Sequence, residues 1–172
     1  MRASHHGVLF LLTALLGGAP ACATQGAAGG PRAVYLRDKA AWAQDGMFAP
    51  ELADCDDLTD DLIDEIEDEL DDDYEVIRIP SYHPGVGAHP YVDIEVYQLL
   101  GEGGGAFSGQ KTMIIRGMMI YQGNTVGTFY ARRSKGYGSW SSCDMLEDLY
   151  DDLAEDVHDW VLQPTMNARL GE

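Results

Sequence analysis

The chain predicts an α+β fold, a two-layer sandwich. One mainly antiparallel sheet of about five strands carries two long acidic amphipathic helices on one face. Three observations lead there. Residues 54–72 and 144–162 each repeat apolar side chains at helical spacing and carry acids on the opposite side. A run of strand-like segments separates them. Residues 110–135 read as a β-hairpin, two apolar runs flanking Gly123-Asn124, a pair that tolerates the positive φ of a two-residue turn. The first run is apolar on both faces, with Met113, Ile115, Gly117 and Met119 on one and Ile114, Met118 and Ile120 on the other. Such a strand belongs inside a sheet.

In chain order, residues 33–37 form a short strand, and 38–50 a loop or brief helix around Trp42, Met47 and Phe48. The first long helix follows. Leu58, Leu62, Ile63, Ile66 and Leu70 make its apolar stripe, and Asp54, Asp56 and Asp57 sit where carboxylates complement the helix dipole. No Lys or Arg lies between Asp54 and Glu75, so packing rather than i,i+4 ion pairs must hold this helix. Residues 75–79 are a strand, 80–90 a Pro/Gly loop containing His83 and His89, and 91–100 a strand in which Val92, Ile94 and Val96 alternate with Asp93, Glu95 and Tyr97. After a glycine-rich connection, the hairpin and a loop comes the second helix, its stripe formed by Leu146, Leu149, Tyr150, Leu153, Val157, Trp160 and Val161. The expected organisation is a signal peptide at 1–21, a flexible tether at 22–32, one domain at 33–164 and a loose tail at 165–172.

The formal net charge of −18 argues against nucleic acid, whose affinity comes from cations neutralising phosphates, and against electrostatic binding to anionic lipid. At the N-terminus, Arg2 is followed by the apolar run 8–16 and the small residues Gly17, Gly18, Ala19, Pro20 and Ala21. This is the pattern of an export signal, and the run is far shorter than the roughly 20 residues a membrane-spanning helix needs. Residues 24–31 are rich in Gly and Ala, as a linker is.

The stretch Ala19-Pro20-Ala21-Cys22 resembles the lipobox of bacterial lipoproteins, with Ala19 where the family usually has Leu. The resemblance implies lipid attachment at Cys22 and a membrane tether, with ordinary cleavage after Ala21 or Ala23 as the alternative. With Cys22 lipidated or removed, Cys55 and Cys143 remain, each at the start of a helix. If the helices lie side by side and parallel, the two meet as a disulfide in an oxidising compartment. Signal, tether and element order together resemble the small outer-membrane and periplasmic lipoproteins of Gram-negative bacteria, many of them without a known role. The resemblance implies a cell-envelope location, at the outer membrane facing the periplasm.

Catalytic signals are weak. Residues 104–112 miss a phosphate-binding loop, because Gln110 stands where the motif has Lys and because Lys111 opens a strand rather than a helix. Ser139, Ser141 and Ser142 near Trp140, with His158 on a helix, form no recognisable triad pattern, so a small hydrolase is the least favoured reading. His83 and His89 are candidate metal ligands with Asp93 or Glu95, which makes a soluble exported metal-binding protein the alternative. No cofactor is expected. The main expectation is a non-enzymatic envelope module that binds a protein partner. With Gly123-Asn124 as the turn, cross-strand counting sets Met119, Gly117 and Ile115 beside Thr128, Tyr130 and Arg132. It sets Met118, Ile120 and Ile114 beside Phe129, Gly127 and Arg133. The bulkier second set is expected in the core, leaving Met119, Tyr130 and Arg132 as the partner surface.

Overall fold

A computed structural model describes residues 32–49, 55, 57–101, 109–136 and 143–171. The expected signal peptide, Cys22, most of the tether, the glycine-rich connection at 102–108 and the loop containing Ser139, Trp140, Ser141 and Ser142 lie outside these residues. The elements are β1 (Arg32–Arg37), β2 (Ala41–Phe48), α1 (Leu58–Leu70), β3 (Tyr74–Ile79), β4 (Tyr91–Gly101), β5 (Lys111–Tyr121), β6 (Asn124–Lys135), α2 (Asp144–Leu162) and β7 (Ala168–Leu170). The architecture is the expected two layers, but the sheet has seven strands rather than about five and is mixed rather than mainly antiparallel. Its order is β3-β1-β4-β5-β6-β7, with β2 also paired to β4. The β4–β5 and β5–β6 pairs are antiparallel, and β1–β3, β1–β4, β2–β4 and β6–β7 are parallel.

The two additional strands arise where the local sequence gives no alternation. β1 pairs with the first residues of β4 and β2 with residues further along it, so the two run end to end beside one neighbour. The segment expected to be a loop around Trp42 is therefore a strand, broken by a bulge between Trp42 and Met47. Gly46 is required at that bulge, because a Cβ there would lie 2.3 Å from the Phe48 ring and 2.6 Å from the Tyr97 carbonyl. The tail expected to be loose instead forms β7. Asn167, at φ 58°, donates its N–H to Thr128 Oγ1 (2.8 Å), and Thr128 N–H donates to the Thr165 carbonyl (3.1 Å).

Both helices pack their apolar stripes on the same side of the sheet. Leu62, Ile63, Ile66 and Leu70 of α1, with Leu146, Leu149, Leu153 and Val157 of α2, meet Val34, Leu36, Val92, Ile94, Val96, Met113 and Ile115 in one fully buried cluster. The helices are parallel. At their N-terminal ends Cys55 and Cys143 are joined, Sγ–Sγ 2.04 Å with Cα atoms 5.8 Å apart. At their C-terminal ends His158 Nε2 lies 3.0 Å from an Asp73 carboxylate oxygen. α1 is shorter than expected and starts at Leu58; Asp57 precedes it in the left-handed conformation (φ 57°), with no side-chain cap.

The hairpin register corrects the expected partner face. The turn residues are Gln122 and Gly123, φ 50° and 77°, one position earlier than expected. This shift alone preserves which residues share a face. The inversion comes from a bulge: Ile120 pairs with Thr125 but Met119 pairs with Gly127, so Val126 is an extra residue. Beyond it, Met119, Gly117, Ile115 and Met113 share the helix-facing side with Gly127, Phe129, Ala131 and Arg133. Met119 is 3% exposed and Met118 40% exposed, the reverse of the expectation.

Two glycines make this register fit. A Cβ on Gly117 would lie 2.4 Å from the Phe129 ring and 2.9 Å from the Asp93 carbonyl, and one on Gly127 would lie 2.6 Å from the Trp160 indole. Gly117→Ala is expected to destabilise the fold by about 1–3 kcal/mol through overpacking, read as a lower urea midpoint with unchanged slope. Replacing Cys55 and Cys143 together by Ser opens a bridge spanning 88 residues of sequence. In the chain-entropy model this costs about 4–5 kcal/mol, measurable by denaturant unfolding of the oxidised protein and the double variant.

Candidate interaction surface

The sheet face opposite the helices carries the most organised polar cluster among the described residues. Alternation along β4, β5 and β6 sends Asp93, Glu95 and Tyr97, then Arg116 and Met118, then Thr128, Tyr130 and Arg132 to this side. A bulge between Val96 and Gln98 leaves Tyr97 without a partner on β5. Its ring meets Tyr130 edge-on, with centroids 5.3 Å apart and planes at 73°. Arg116 closes the cluster. Its Nε donates to Glu95 (2.8 Å), an Nη is 2.9 Å from Asp45, and its guanidinium lies 5.1 Å from the Tyr97 centroid. These hydrogen bonds, first to Glu95, outweigh partial burial and raise the Arg116 pKa, while the Arg116 hydrogen bond holds Asp45 below the usual carboxylate range. Nearby, Arg37 donates to Asp93 at 2.9 Å.

The side of this face towards β7 is different. Arg169 stacks on Tyr130, its guanidinium 5.0 Å from the ring centroid, and Arg132 is exposed one pair further along β6. Among the described residues neither arginine has a carboxylate partner. A cavity of about 310 Å³ opens here, between the Glu95–Arg116 pair and Asn167, with Met118 and Thr128 in its wall. In a chain of net charge −18 this is a locally cationic, aromatic surface. Aromatic residues, Met and Arg are the side chains enriched where proteins bind one another.

Of the residues expected to form the partner surface, Tyr130 and Arg132 are on this face and Met119 is not; it lies in the core, and Met118 takes its place. Arg169 was missed because it lies in the segment read as a tail. Two other basic residues of the hairpin serve the molecule's own acids. Arg133 makes two 2.7 Å hydrogen bonds to Asp156 of α2, and Lys135 approaches Asp152 (3.6 Å) and Asp148 (3.9 Å).

The metal reading loses its carboxylates. His83 and His89 are exposed in the loop around the 3-10 turn Pro84–Val86, and Asp93 and Glu95 are engaged by Arg37 and Arg116. Among the described residues no three His, Cys, Asp or Glu side chains are grouped to hold a metal ion. His158 is partnered by Asp73, with Asp159 at 3.8 Å, and no described hydroxyl or thiol hydrogen-bonds to it.

No protein-family model matches the chain, and no curated protein sequence matches it. Solved structures share its outline. PelC of Paraburkholderia phytofirmans, crystallised as a dodecamer, is 13% identical over 74% of this chain and 87% of that one, with a TM-score of 0.49. A minor lipoprotein of Acinetobacter baumannii is 12% identical over 74% and 91%, at 0.43. Lipoprotein GNA1162 of Neisseria meningitidis is 12% identical over 74% and 99%, at 0.44. At these values the likeness is one of outline and carries no function across.

The charge of the helical layer has a consequence for stability. Burial first, and then neighbouring acids, raise the carboxyl pKa of Asp61 and Glu65; Asp151 of α2 is among the acids acting on Glu65. A carboxyl whose folded pKa is raised binds protons more tightly in the folded state, so stability increases as pH falls through the raised pKa towards the ordinary value, about 4. Below that range the gain stops, and Asp45, whose pKa is depressed, begins to lose its contribution. The urea midpoint at low ionic strength is therefore expected to be higher at about pH 5 than at pH 7 and to fall again at about pH 3. Added salt at pH 7 should reproduce part of the gain.

Proposed function

We propose that this chain is an exported, lipid-anchored envelope domain that acts by binding a protein partner, not by catalysis, and that the outer sheet face around Tyr130 is its contact surface. One observation carries the reading. In a strongly acidic molecule whose hairpin cations Arg116, Arg133 and Lys135 are paired internally, Arg169 lines a cavity beside half-buried Tyr130 and exposed Met118, with Arg132 exposed one pair further along β6, and neither arginine has a carboxylate partner among the described residues. A partner there meets cations that need no release from an existing ion pair. The acidic helix faces would require matched cations before their carboxylates could be desolvated.

The export signal, the small residues before Cys22 and the Gly/Ala-rich segment after it support anchoring at the envelope. The Cys55–Cys143 bond supports an oxidising compartment. The absence of a metal-ligand group among the described residues favours binding over metal chemistry.

The test is site-specific photo-crosslinking in the native envelope, with a photoreactive amino acid at Met118 or Arg132 and at Glu69 and Glu155 as controls on the helix faces. One discrete adduct from positions 118 and 132, absent from the controls and lost in Tyr130→Ala, is expected. Equal adducts from all four positions would refute the surface. The N-terminal mass tests the anchor separately, the expected result being a lipid-modified Cys22.

A further inference from the structure

We propose that the end of the sandwich at which Arg32 enters lies against a bilayer surface, with the apolar groove at that end as the membrane contact. The inference rests on the anchoring of Cys22 proposed above and adds an orientation and a site to it.

The two ends of the domain differ. At one, the N-termini of β1 and β3, the hairpin tip and the C-terminus of α2 surround a groove of about 570 Å³, lined by Arg32, Tyr74, Met119, Tyr121, Val126 and Leu162 among others. Tyr121, Val126 and Leu162 are 38%, 37% and 41% exposed, three large apolar side chains at one rim. At the other end are the disulfide, the helix N-termini and the Lys111–Lys135 strand pair.

Chain length selects between the ends. Cys22 precedes Arg32 by ten residues. A Gly-rich run of that length has a root-mean-square span of about 16–19 Å and reaches at most about 33–36 Å fully extended. β5 has 11 residues and is therefore about 36 Å long. Turning the opposite end to the membrane would demand a fully stretched connection, whereas the Arg32 end comes within reach of the bilayer at no such cost. Tyr121 suits the headgroup boundary, where an aromatic ring with a polar tip is favoured.

Charge defines the kind of bilayer. Asp71, Asp72 and Asp73 are exposed in the turn before Tyr74, and Asp73 is paired with His158. A surface rich in anionic lipid would repel this turn, so the contact is with lipid of low net charge and is shallow.

The experiment reconstitutes the native lipidated protein into zwitterionic phosphatidylcholine vesicles containing a phospholipid with a diazirine in its acyl chain. Labelled peptides are mapped after photolysis. Label is expected in 121–126 and 161–164, falling about tenfold when Val126→Asp and Leu162→Asp place charge at the rim. Both sites are exposed in the fold, and unchanged urea unfolding confirms that the variant is native. Label on the helix faces or the outer sheet face, or a pattern unaltered in the variant, overturns the orientation while a lipidated N-terminus leaves the anchor standing. An unmodified N-terminus removes the anchor and this orientation together.

Discussion

The interlock of two aromatic rings with two glycines on the central hairpin is the constraint from which the rest of the structure follows. Phe129 occupies the space left by Gly117 on the neighbouring strand, and Trp160 of α2 occupies the space left by Gly127. The two rings then meet edge to face, centroids 4.7 Å apart. This arrangement is possible only if Phe129 and Gly117 share a face, and the extra residue Val126 ensures that they do. Once the register is fixed, each remaining hairpin residue is assigned a side. Met113, Ile115 and Met119 enter the core, and Arg116, Met118 and Tyr130 go to the opposite face. The same contact seats α2 on the sheet and fixes where its C-terminus releases the chain. Trp160 Nε1 donates to the Thr165 carbonyl (3.2 Å), leading the chain into β7.

The helical layer is electrostatically unfavourable in itself. Two parallel helices align their dipoles, and both expose acids, so their long-range interactions are repulsive. Three contacts oppose this. Apolar packing against the sheet is the largest, since burying each Leu or Ile side chain contributes about 1.5–3 kcal/mol. The covalent bond at the N-terminal ends keeps the helices adjacent irrespective of charge. Cations on the strands reach up to the helix acids: Arg78 of β3 to Asp64 (2.6 Å) and to Glu67, Arg133 of β6 to Asp156, and Lys39, just after β1, to Asp60 (2.7 Å). Most of these pairs are partly exposed and are worth little individually, about 0–1 kcal/mol. Their effect is to place positive charge where the helices supply none.

This use of cations divides the molecule. Lys39, Arg78, Arg133 and Lys135 are consumed by pairs with helix acids, and on the outer face Arg37 and Arg116 are held by Asp93, Glu95 and Asp45. Arg132 and Arg169 are left beside Tyr130. Had the register lacked the bulge at Val126, Tyr130 would have stood opposite Ile115 and Arg132 opposite Met113, and the pairing of Arg116 with Tyr130 across the outer face would not exist. The proposed contact surface is therefore a product of the same packing constraint that builds the core.

The sequence by itself determined the two helices, the buried stripes on each and the strands from Tyr74 to Lys135, because these depend on periodicities of 3.6 and 2 that a single segment displays. It also placed Cys55 and Cys143 at matching helix starts. The remainder depended on contacts between segments distant in sequence. β2 exists because β4 offers it a hydrogen-bonding edge, and β7 because Thr128 and Trp160 bind the preceding turn; neither segment alternates on its own. The Val126 bulge is stabilised by rings fitting against glycines on other elements, and one unpaired residue reverses the side of everything that follows, since the side-chain period of a strand is two. Local pattern fixes which residues are apolar on a strand, but only tertiary packing decides which way the strand faces.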